Sequence, residues 1–310
     1  MMNRCLVFLL SLVVSVWAWA APMPQTLNIT YVKAPFNLQN IVMKTQGLLE
    51  KEFSKEGIKV KWVPIKAGLN QVRGLMAGDL DMVAAMNTST LLIANGAGNR
   101  ILIADGVAHP NDIFAIVTAK NSKIESVKDL KGKRVVGPKG TVLHHLLVAA
   151  LAKEGMSASD IELISMNLPA SLTALLTGHA DAALLVGPGI QKAASVGHRV
   201  LTRAGGYVDT NLVMAVSERF AKAYPEVVRR VVKVNREALA WIEGNFDAAL
   251  SIGAKEHGIS VEQARELASW ANFYSTITQA DIDAMNVNQV FLLKEKMMKQ
   301  SVDVESLLFR

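Results

Sequence analysis

A twelve-residue pattern occurs twice in this chain, with a spacing of one hundred residues. LMAGDLDMVAAM occupies residues 75–86 and LLTGHADAALLV occupies residues 175–186, with Leu, Gly and Asp identical at three of the twelve positions. Each copy is typical of the end of a helix, a Gly stop, an Asp and then an apolar run as long as a buried parallel strand. A chain that repeats this unit is expected to form two similar α/β lobes.

The first twenty residues indicate the compartment. Arg4 is followed by an uncharged run over residues 6–16, and Ala18-Trp19-Ala20 fits the small-x-small cleavage pattern. We predict that residues 1–20 are a secretory signal, with an uncleaved membrane anchor as the alternative because the whole apolar run covers 17 residues, 5–21. Cys5 is the only cysteine. The predicted mature chain therefore has no thiol for a disulfide, a thiolate metal site or CxxC redox chemistry.

The formal net charge of +6 does not form a basic stripe. Residues 51–61 and 127–134 are rich in lysine but also contain acidic residues. This mixture is typical of solvated surface, so no nucleic-acid partner is expected. Apart from the N-terminal run, no stretch is long and apolar enough to span a bilayer.

Strand and helix patterns alternate along the chain up to Ser217, and helical patterns follow it. The alternation predicts parallel sheets with helices on both faces, that is, three-layer α/β lobes. We expect the chain to cross to the second lobe near residues 105–113, to return near 204–211, and to complete the first lobe with its helical tail. The predicted division is residues 21–107 and 208–310 for the first lobe and 108–207 for the second, with the two crossovers as a hinge.

Ligands of open α/β sheets bind beyond the carboxyl ends of the strands, at the N-termini of helices. Asp81 and Asp181 precede their strands, so we expect both to have structural roles. The predicted site lies in the loops at the opposite end of the strands. These are residues 34–37, 87–90, 139–141, 167–171 and 187–189.

Two of these loops contain the strongest candidates. Residues 87–90 are four small polar residues after a buried strand, where helix capping needs only one. Residues 139–141 place an ammonium, a glycine and a hydroxyl before a helix, which favours an anion site, with plain capping by Thr141 as the alternative. The candidate ligand-binding residues are Phe36, Asn37, Asn87, Thr88, Ser89, Lys139, Gly140, Thr141, His144, Gly187, Pro188 and Asn211.

The sequence contains no pattern typical of catalysis or of cofactor binding. His144 and His145 are adjacent, so on a helix they point about 100° apart and do not chelate one metal ion as an i, i+4 pair does. The other histidines are scattered, and no nucleophile elbow or metalloprotease helix occurs. We therefore predict a binding protein without catalytic, cofactor or metal residues.

Four segments resemble the aliphatic-sulfonate, taurine and nitrate group of periplasmic substrate-binding proteins of ABC transporters. The resemblance implies a two-lobed fold of periplasmic binding protein type II, which closes on a small solute and presents it to an inner-membrane permease. A monomer is expected, because such a shuttle presents both lobes. The segments are residues 31–53, 130–163, 178–201 and 217–232.

The chain departs from this family at two loops. Where many members have a Gly-Asp-x-Pro-like loop, it has residues 87–90, and where they have Trp-x-Pro it has Val186-Gly187-Pro188. The missing acidic group makes an amino-sulfonate such as taurine a less favoured ligand, whereas the Lys-Gly-Ser/Thr element is retained at residues 139–141. Because Gly187 and Gly189 have no side chains and leave room that a Trp would fill, a larger or bulkier ligand than ethanesulfonate is predicted. The resulting hypothesis is capture of a small organic anion; a ligand-sensing domain for a membrane partner and a pyrimidine-synthesis-like enzyme are the alternatives.

Overall fold

The structure is a computed structural model that describes residues 23–65, 68–110, 112–208 and 211–310. The predicted signal, residues 1–20, lies outside the described residues. Ten strands occur in the described part of the chain. They are β1 (Thr26–Thr30), β2 (Lys59–Val63), β3 (Met82–Asn87), β4 (Ile101–Ala108), β5 (Phe114–Thr118), β6 (Arg134–Gly137), β7 (Glu162–Ser165), β8 (Ala182–Val186), β9 (Arg199–Arg203) and β10 (Leu212–Ser217).

Helices cover the faces of the sheets and form the tail. The α-helices are α1 (Leu38–Thr45), α2 (Leu48–Glu52), α3 (Gly68–Ala77), α4 (Thr88–Gly96), α5 (Val142–Lys153), α6 (Leu168–Leu176), α7 (Gly187–Ser195), α8 (Glu218–Ala223), α9 (Pro225–Gly244), α10 (Phe246–His257), α11 (Val261–Ala271) and α12 (Gln279–Lys294). Short 3-10 helices occur at Val127–Leu130, Ala158–Asp160 and Glu305–Leu307.

The strands form two five-stranded sheets with the same topology. The order is β2-β1-β3-β10-β4 in the first sheet and β7-β6-β8-β5-β9 in the second. Each sheet contains three parallel strands, followed by an antiparallel strand, β10 or β5, that pairs with the last strand. The prediction of two similar α/β lobes is confirmed, although the sheets are mixed rather than wholly parallel.

We call the first sheet with α1–α4 and α8–α12 the first lobe, and the second sheet with α5–α7 the second lobe. The tail packs on the first lobe, where α9 contacts α1, α2 and β4 while α12 contacts α4. The tail is not wholly helical, because Phe273 and Leu308 form isolated bridges with Ala108 and Ile103 of β4. The exact lobe boundaries at residues 107 and 208 stay predictions.

The repeated pattern has the predicted local structure in both lobes. Gly78 and Gly178 follow α3 and α6 with φ of +86° and +77°, the left-handed conformation that ends a helix. The strands that follow, β3 and β8, are buried on both faces. In β8, Leu184 packs in the core cluster shared by the lobes, whereas Leu185 packs in a cluster of the second lobe alone. Burial on both faces explains why these strands are continuous apolar runs.

The two repeated aspartates have equivalent structural roles. Asp81 Oδ2 accepts a hydrogen bond from the backbone N–H of Asn28 at 2.7 Å, and Asp181 Oδ2 accepts one from the backbone N–H of Arg134 at 2.8 Å. Asn28 lies in β1 and Arg134 begins β6, the parallel neighbours of β3 and β8. Each aspartate therefore ties its strand to the next one at the amino end of the sheet, away from the predicted site.

Candidate functional site

The lobes touch each other where their parallel strands end and the following helices begin. Gly187, the first residue of α7, lies so close to the loop before α1 that a Cβ would stand 2.9 Å from the carbonyl oxygen of Pro35. Beside this contact, Gln191 Nε2 of α7 donates to Glu266 Oε2 of α11 at 2.7 Å. One apolar cluster also continues from Leu27 of β1 to elements of the second lobe. The structure is therefore a closed arrangement of the two lobes.

The Phe36 ring packs within its own lobe. It is 1% exposed, and its ring centroid lies 5.3 Å from that of His257 on α10. A Cβ at Gly253, also on α10, would stand 2.8 Å from Phe36 Cζ. This packing places the ring in the core between α1 and α10, which argues against the predicted ligand contact.

Asn37 lies at the start of α1. It precedes α1 as the N-cap residue, yet its side chain makes no capping hydrogen bond. The Asn37 amide donates instead to the carbonyl oxygens of Val32 and Ala34, at 2.7 and 3.0 Å. Asn37 therefore shapes its own loop, and the first N–H groups of α1 are left without a side-chain acceptor.

Residues 87–90 combine capping with burial. Asn87 Oδ1 accepts from the Ser89 N–H at 2.9 Å, so the capping alternative holds for Asn87. Its Nδ2 is buried without a hydrogen-bond partner in the described part of the chain. Thr88 and Ser89 are also buried, and the Thr88 N–H donates to the carbonyl oxygen of Asn211 at 3.0 Å. The free Asn87 N–H groups are the donors that this loop can offer to a ligand.

Residues 139–141 leave the start of α5 uncapped. The Thr141 hydroxyl donates backwards to the Pro138 carbonyl oxygen at 2.9 Å and makes no capping bond. The Gly140 N–H donates to His144 Nδ1 at 3.3 Å, which holds this imidazole over the loop. Burial, and then the nearby Lys139 ammonium, lower the pKa of His144, so its ring is neutral at pH 7. The loop thus offers backbone donors, an exposed ammonium and a neutral imidazole.

The start of α7 does not leave the open space that the sequence suggested. Gly187 has φ of +37°, and the room that a side chain would occupy is filled by the Pro35 carbonyl. The prediction of a larger ligand assumed open space at Gly187. This assumption is wrong, because the Pro35 carbonyl of the first lobe occupies that space. Pro188 lies in the first turn of α7, which has no side-chain cap.

Asn211 belongs to the hinge. Its Nδ2 donates to Asp281 Oδ1 at 3.1 Å, and His109 Nε2 lies 2.6 Å from the same oxygen. His109 stands in one crossover and Asn211 in the other, so Asp281 of α12 ties both together. Burial acts to raise the pKa of Asp281, but hydrogen bonds from Thr278 and His109 outweigh it and lower the pKa below its usual value.

Three residues that the sequence did not single out as site residues contact the predicted site. Asn288 Nδ2 donates to Ser89 Oγ at 3.0 Å, and Ser89 Oγ lies 3.4 Å from Nδ1 of His145. The His145 ring stacks on Phe291, with the ring centroids 4.3 Å apart. Asn288 and Phe291 lie on α12, about two hundred residues from Ser89 in sequence, so no local pattern could have indicated them.

The helices at this interface differ in how they begin. Asn87 caps α4 and Asn167 caps α6, each with a side-chain hydrogen bond. By contrast, α1, α5 and α7 have no side-chain cap and no acidic residue in the first turn. These three helices follow β1, β6 and β8, so their remaining N–H groups lie at the interface of the lobes. The N–H groups of Leu38 and Gly187 already donate to the carbonyl oxygens of Phe36 and Ile113, and Pro188 has no N–H. Free N–H groups and the partial positive charge of a helix start favour anions.

Other kinds of site receive no support in the described residues. No group of three or more His, Cys, Asp or Glu side chains in ranges 23–65, 68–110, 112–208 and 211–310 is arranged to hold a metal ion. Over the same ranges, no helix is long and apolar enough to cross a membrane.

Known proteins share both the sequence and the fold. A model of the family described as NMT1/THI5 like matches residues 50–249. An Escherichia coli (strain K12) protein, provisionally named for binding aliphatic sulfonates, is 28% identical over 249 residues, which cover 79% of this chain and 76% of that protein. The taurine-binding periplasmic protein of the same organism is 30% identical over 186 residues, 58% of this chain and 57% of its own length.

The solved structure of the alkanesulfonate-binding protein SsuA from Xanthomonas axonopodis pv. citri, bound to MOPS, superposes with a TM-score of 0.84. The likeness covers 94% of this chain and 100% of that chain at 24% identity. The desulfurization enzyme DSZB, solved with biphenyl-2-sulfinic acid, has the same fold, with a TM-score of 0.68, 15% identity, and coverage of 92% and 96%. At these identities the likenesses establish the fold alone.

Proposed function

Because this chain belongs to the NMT1/THI5-like family, we propose that it is the periplasmic solute-binding component of an ABC importer. It captures a small organic anion between its two lobes and presents the closed complex to an inner-membrane permease. Its sequence relatives include proteins named for binding aliphatic sulfonates and taurine. We expect it to be exported by the signal at residues 1–20 and to act as a monomer.

The observation that carries this proposal is the set of uncapped helices at the interface. The starts of α1, α5 and α7 supply backbone donors from both lobes, and Lys139 adds an exposed ammonium beside α5. A sulfonate offers three acceptor oxygens and a permanent negative charge, which matches such a set of donors.

Closure follows from contacts with both lobes. A ligand shifts the hinge only by its difference in affinity for the closed and open states. An anion held by α1 of the first lobe and by α5 of the second makes its full set of bonds only in the closed state. Micromolar affinity corresponds to about −8 kcal/mol, and hydrogen bonds to a charged group contribute about 1.5–3 kcal/mol each.

The proposed ligand class is a sulfonate without an ammonium group. Asp281, the carboxylate that ties the two crossovers, is already engaged by His109, Asn211 and Thr278. An ammonium buried without a carboxylate partner loses hydration that nothing replaces. We therefore expect ethanesulfonate, which has no amine, to bind more tightly than taurine.

Calorimetry and thermal denaturation on residues 21–310 test the proposal. The panel contains ethanesulfonate, MOPS, taurine, nitrate and a carboxylate matched in length to each sulfonate. We expect at least one sulfonate to bind with a Kd in the micromolar range and to raise the melting temperature. If no member of the panel binds, the solute-binding proposal is refuted for these anions.

A capping variant tests the role of the helix starts. Thr141→Asp places a carboxylate where it caps α5 and repels an anion, so we expect sulfonate binding to weaken by at least about 100-fold, or ~2.7 kcal/mol. The matched control is Ser260→Asp, because Ser260 already caps α11 through the Gln263 N–H. The control is expected to keep the wild-type affinity. Equal affinity of the two variants would exclude the start of α5 from the site.

An enzymatic function is the second candidate, because the enzyme DSZB shares this fold. In the described part of the chain, Ser89 and His145 form a buried contact. His145 faces Ser89 with Nδ1, and its ring stacks on Phe291. Incubation with sulfinate and sulfonate esters, followed by product analysis, tests this candidate. Visible absorbance of the purified protein would reveal a pyridoxal cofactor.

A sensing role is the remaining alternative. Copurification with a sensor kinase rather than with a permease would favour it.

A further inference from the structure

A buried polar contact joins the two lobes. Ser89 lies at the start of α4 in the first lobe, and His145 lies on α5 in the second. Their side chains are 3.4 Å apart, Ser89 Oγ to His145 Nδ1, and both residues are 2% exposed. Opening the cleft must break this contact and hydrate both groups.

The neighbours of Ser89 determine the direction of this hydrogen bond. Asn288 Nδ2 donates to Ser89 Oγ at 3.0 Å, so the serine hydrogen is free to point elsewhere. His145 Nδ1 is the acceptor within reach. When Ser89 donates to Nδ1 in this way, the ring carries its proton on Nε2 and is neutral. A doubly protonated ring could only donate Nδ1–H to Ser89 Oγ, and its positive charge would then be buried at this interface, where His145 is 2% exposed.

The tail supports the histidine from its other side. Phe291 stacks on the His145 ring with an interplanar angle of 23°. Asn288 and Phe291 are three residues apart on α12, so one surface of this helix touches both partners of the contact. Asp281, in the first turn of the same helix, ties the two crossovers of the hinge. Helix α12 thus connects the hinge to the contact that closes the cleft.

We propose that Ser89, His145, Asn288 and Phe291 form an inter-lobe latch that closes only while His145 is neutral, so that solute capture weakens in acid. We call these four residues the latch. The proposal rests on the proposed function, because it assigns a pH response to closure around the solute. It also changes the predicted role of Ser89 from a ligand contact to a closure residue.

The surroundings of His145 provide no counter-ion for a charged ring. His144 is its neighbour on α5, with the Lys139 ammonium beyond it, and neither supplies a negative charge. From α4 the facing group is the neutral Ser89, and from α12 the facing groups are Asn288 and Phe291. The remaining elements packed on α5 are β5, β8 and the 3-10 helix Val127–Leu130, whose buried residues are Val127 and Leu130.

The expected size of the response follows from the protonation difference. Burial, with a smaller contribution from His144, lowers the pKa of His145 to about 4, whereas a hydrated histidine titrates near about 6.5. Between these values the open state binds a proton that the closed state does not. The apparent affinity for a solute then falls by up to about tenfold for each pH unit below 6.5. Ethanesulfonate has no group that titrates in this range, so with this ligand the slope belongs to the protein.

The test compares variants over a pH series. Calorimetry with the best-binding sulfonate that has no amine, at pH 7.5, 6.5, 5.5 and 4.5, is run on the wild type, His145→Gln and His179→Gln. Glutamine accepts a hydrogen bond but does not titrate, so His145→Gln is expected to bind at pH 7.5 and to lose the acid slope. His179 is exposed and bonded to Thr177, so His179→Gln should keep it. A slope in His145→Gln equal to that of the wild type would overturn the latch.

A measurement without ligand separates the latch from the proposed function. Small-angle scattering of the unliganded protein should show a larger radius of gyration at pH 4.5 than at pH 7.5, with unchanged far-UV circular dichroism. In His145→Gln the radius should be the same at both pH values. If the sulfonates do not bind but this difference appears, the ligand assignment fails and the latch stands. If the wild-type radius does not change with pH, the latch is refuted.

Discussion

The close approach of Gly187 to Pro35 predicts that a single methyl group will weaken closure without touching the ligand. In Gly187→Ala the new Cβ stands 2.9 Å from the Pro35 carbonyl oxygen, where ordinary contact begins at 3.4 Å. The lobes must therefore separate by about 0.5 Å, or the loop must shift. Overpacking of this kind costs about 1–3 kcal/mol, and only the closed state bears it. We expect the Kd to rise by about 5-fold to 150-fold.

The variant also introduces backbone strain, which needs a separate control. An alanine at positive φ costs about 1–2 kcal/mol, and this cost is the same in the open and closed states. Gly178 has φ of +77° and no atom within 4 Å of the point where a Cβ would stand, so Gly178→Ala carries the strain without the contact. Gly189→Ala, whose Cβ would meet Leu185 at 3.9 Å, controls for a methyl on the same helix.

Calorimetry with the best sulfonate and urea denaturation on all four proteins complete the design. Gly187→Ala and Gly178→Ala should both lower the free energy of unfolding. Gly187→Ala alone should weaken binding, and Gly189→Ala should match the wild type in affinity. If Gly187→Ala binds within twofold of Gly178→Ala, the contact with Pro35 does not take part in closure and the reasoning fails.

Three further outcomes follow from the described contacts. Asp81→Ala should reduce the free energy of unfolding by about 1–3 kcal/mol in urea denaturation, because it leaves the part-buried Asn28 N–H unpaired. Asp181→Ala should reduce it by about 0.5–1.5 kcal/mol, because its bond to the Arg134 N–H is exposed to water. The Kd should stay unchanged in both variants, and a loss of affinity without a loss of stability would contradict their structural role. Lys139→Met should raise the sulfonate Kd by about tenfold or more and make the Kd less dependent on salt, as measured by calorimetry at low and high ionic strength. If the salt dependence is unchanged, the Lys139 ammonium is not part of the site. Asp281→Ala should destabilise the protein by about 3 kcal/mol in urea, because His109 loses a buried carboxylate. Because the pKa of Asp281 is lowered in the folded state, Asp281 stabilises the fold at pH values above its usual pKa near 3.8, and this stabilisation is lost as the pH falls further. If the variant and the wild type denature identically in acid, this pH dependence is contradicted.

Much of the fold was predictable from local patterns. The Gly-x-x-Asp unit specifies a helix stop, a tie to the neighbouring strand and a strand buried on both faces, and these constraints act within about ten residues of the chain. Its second occurrence therefore predicted a second lobe of the same kind. The antiparallel direction of strands β5 and β10 was not predicted, because an apolar run does not record the direction of its neighbour.

The candidate site was predictable only as a set of loops. The rule that ligands bind beyond the carboxyl ends of strands selected residues 139–141 and 187–189, and these loops do lie at the interface of the lobes. The rule did not indicate what each side chain bonds to. Asn37 folds back on its own loop, Phe36 packs on α10, and Asn211 joins Asp281, since each of these partners comes from packing.

The two adjacent histidines show what could not be predicted from the sequence alone. His144 and His145 point about 100° apart on α5, and which one meets the other lobe depends on how the helix is rotated on its sheet. The sequence by itself determined the two lobes, the Asp ties and the polar and basic loops, because those features depend on spacing within one segment. Only the tertiary structure decided that Gly187 makes room for Pro35, that Ser89 bonds His145 and that α12 supports both, because each contact joins segments whose distance in space is not recorded in their distance along the chain.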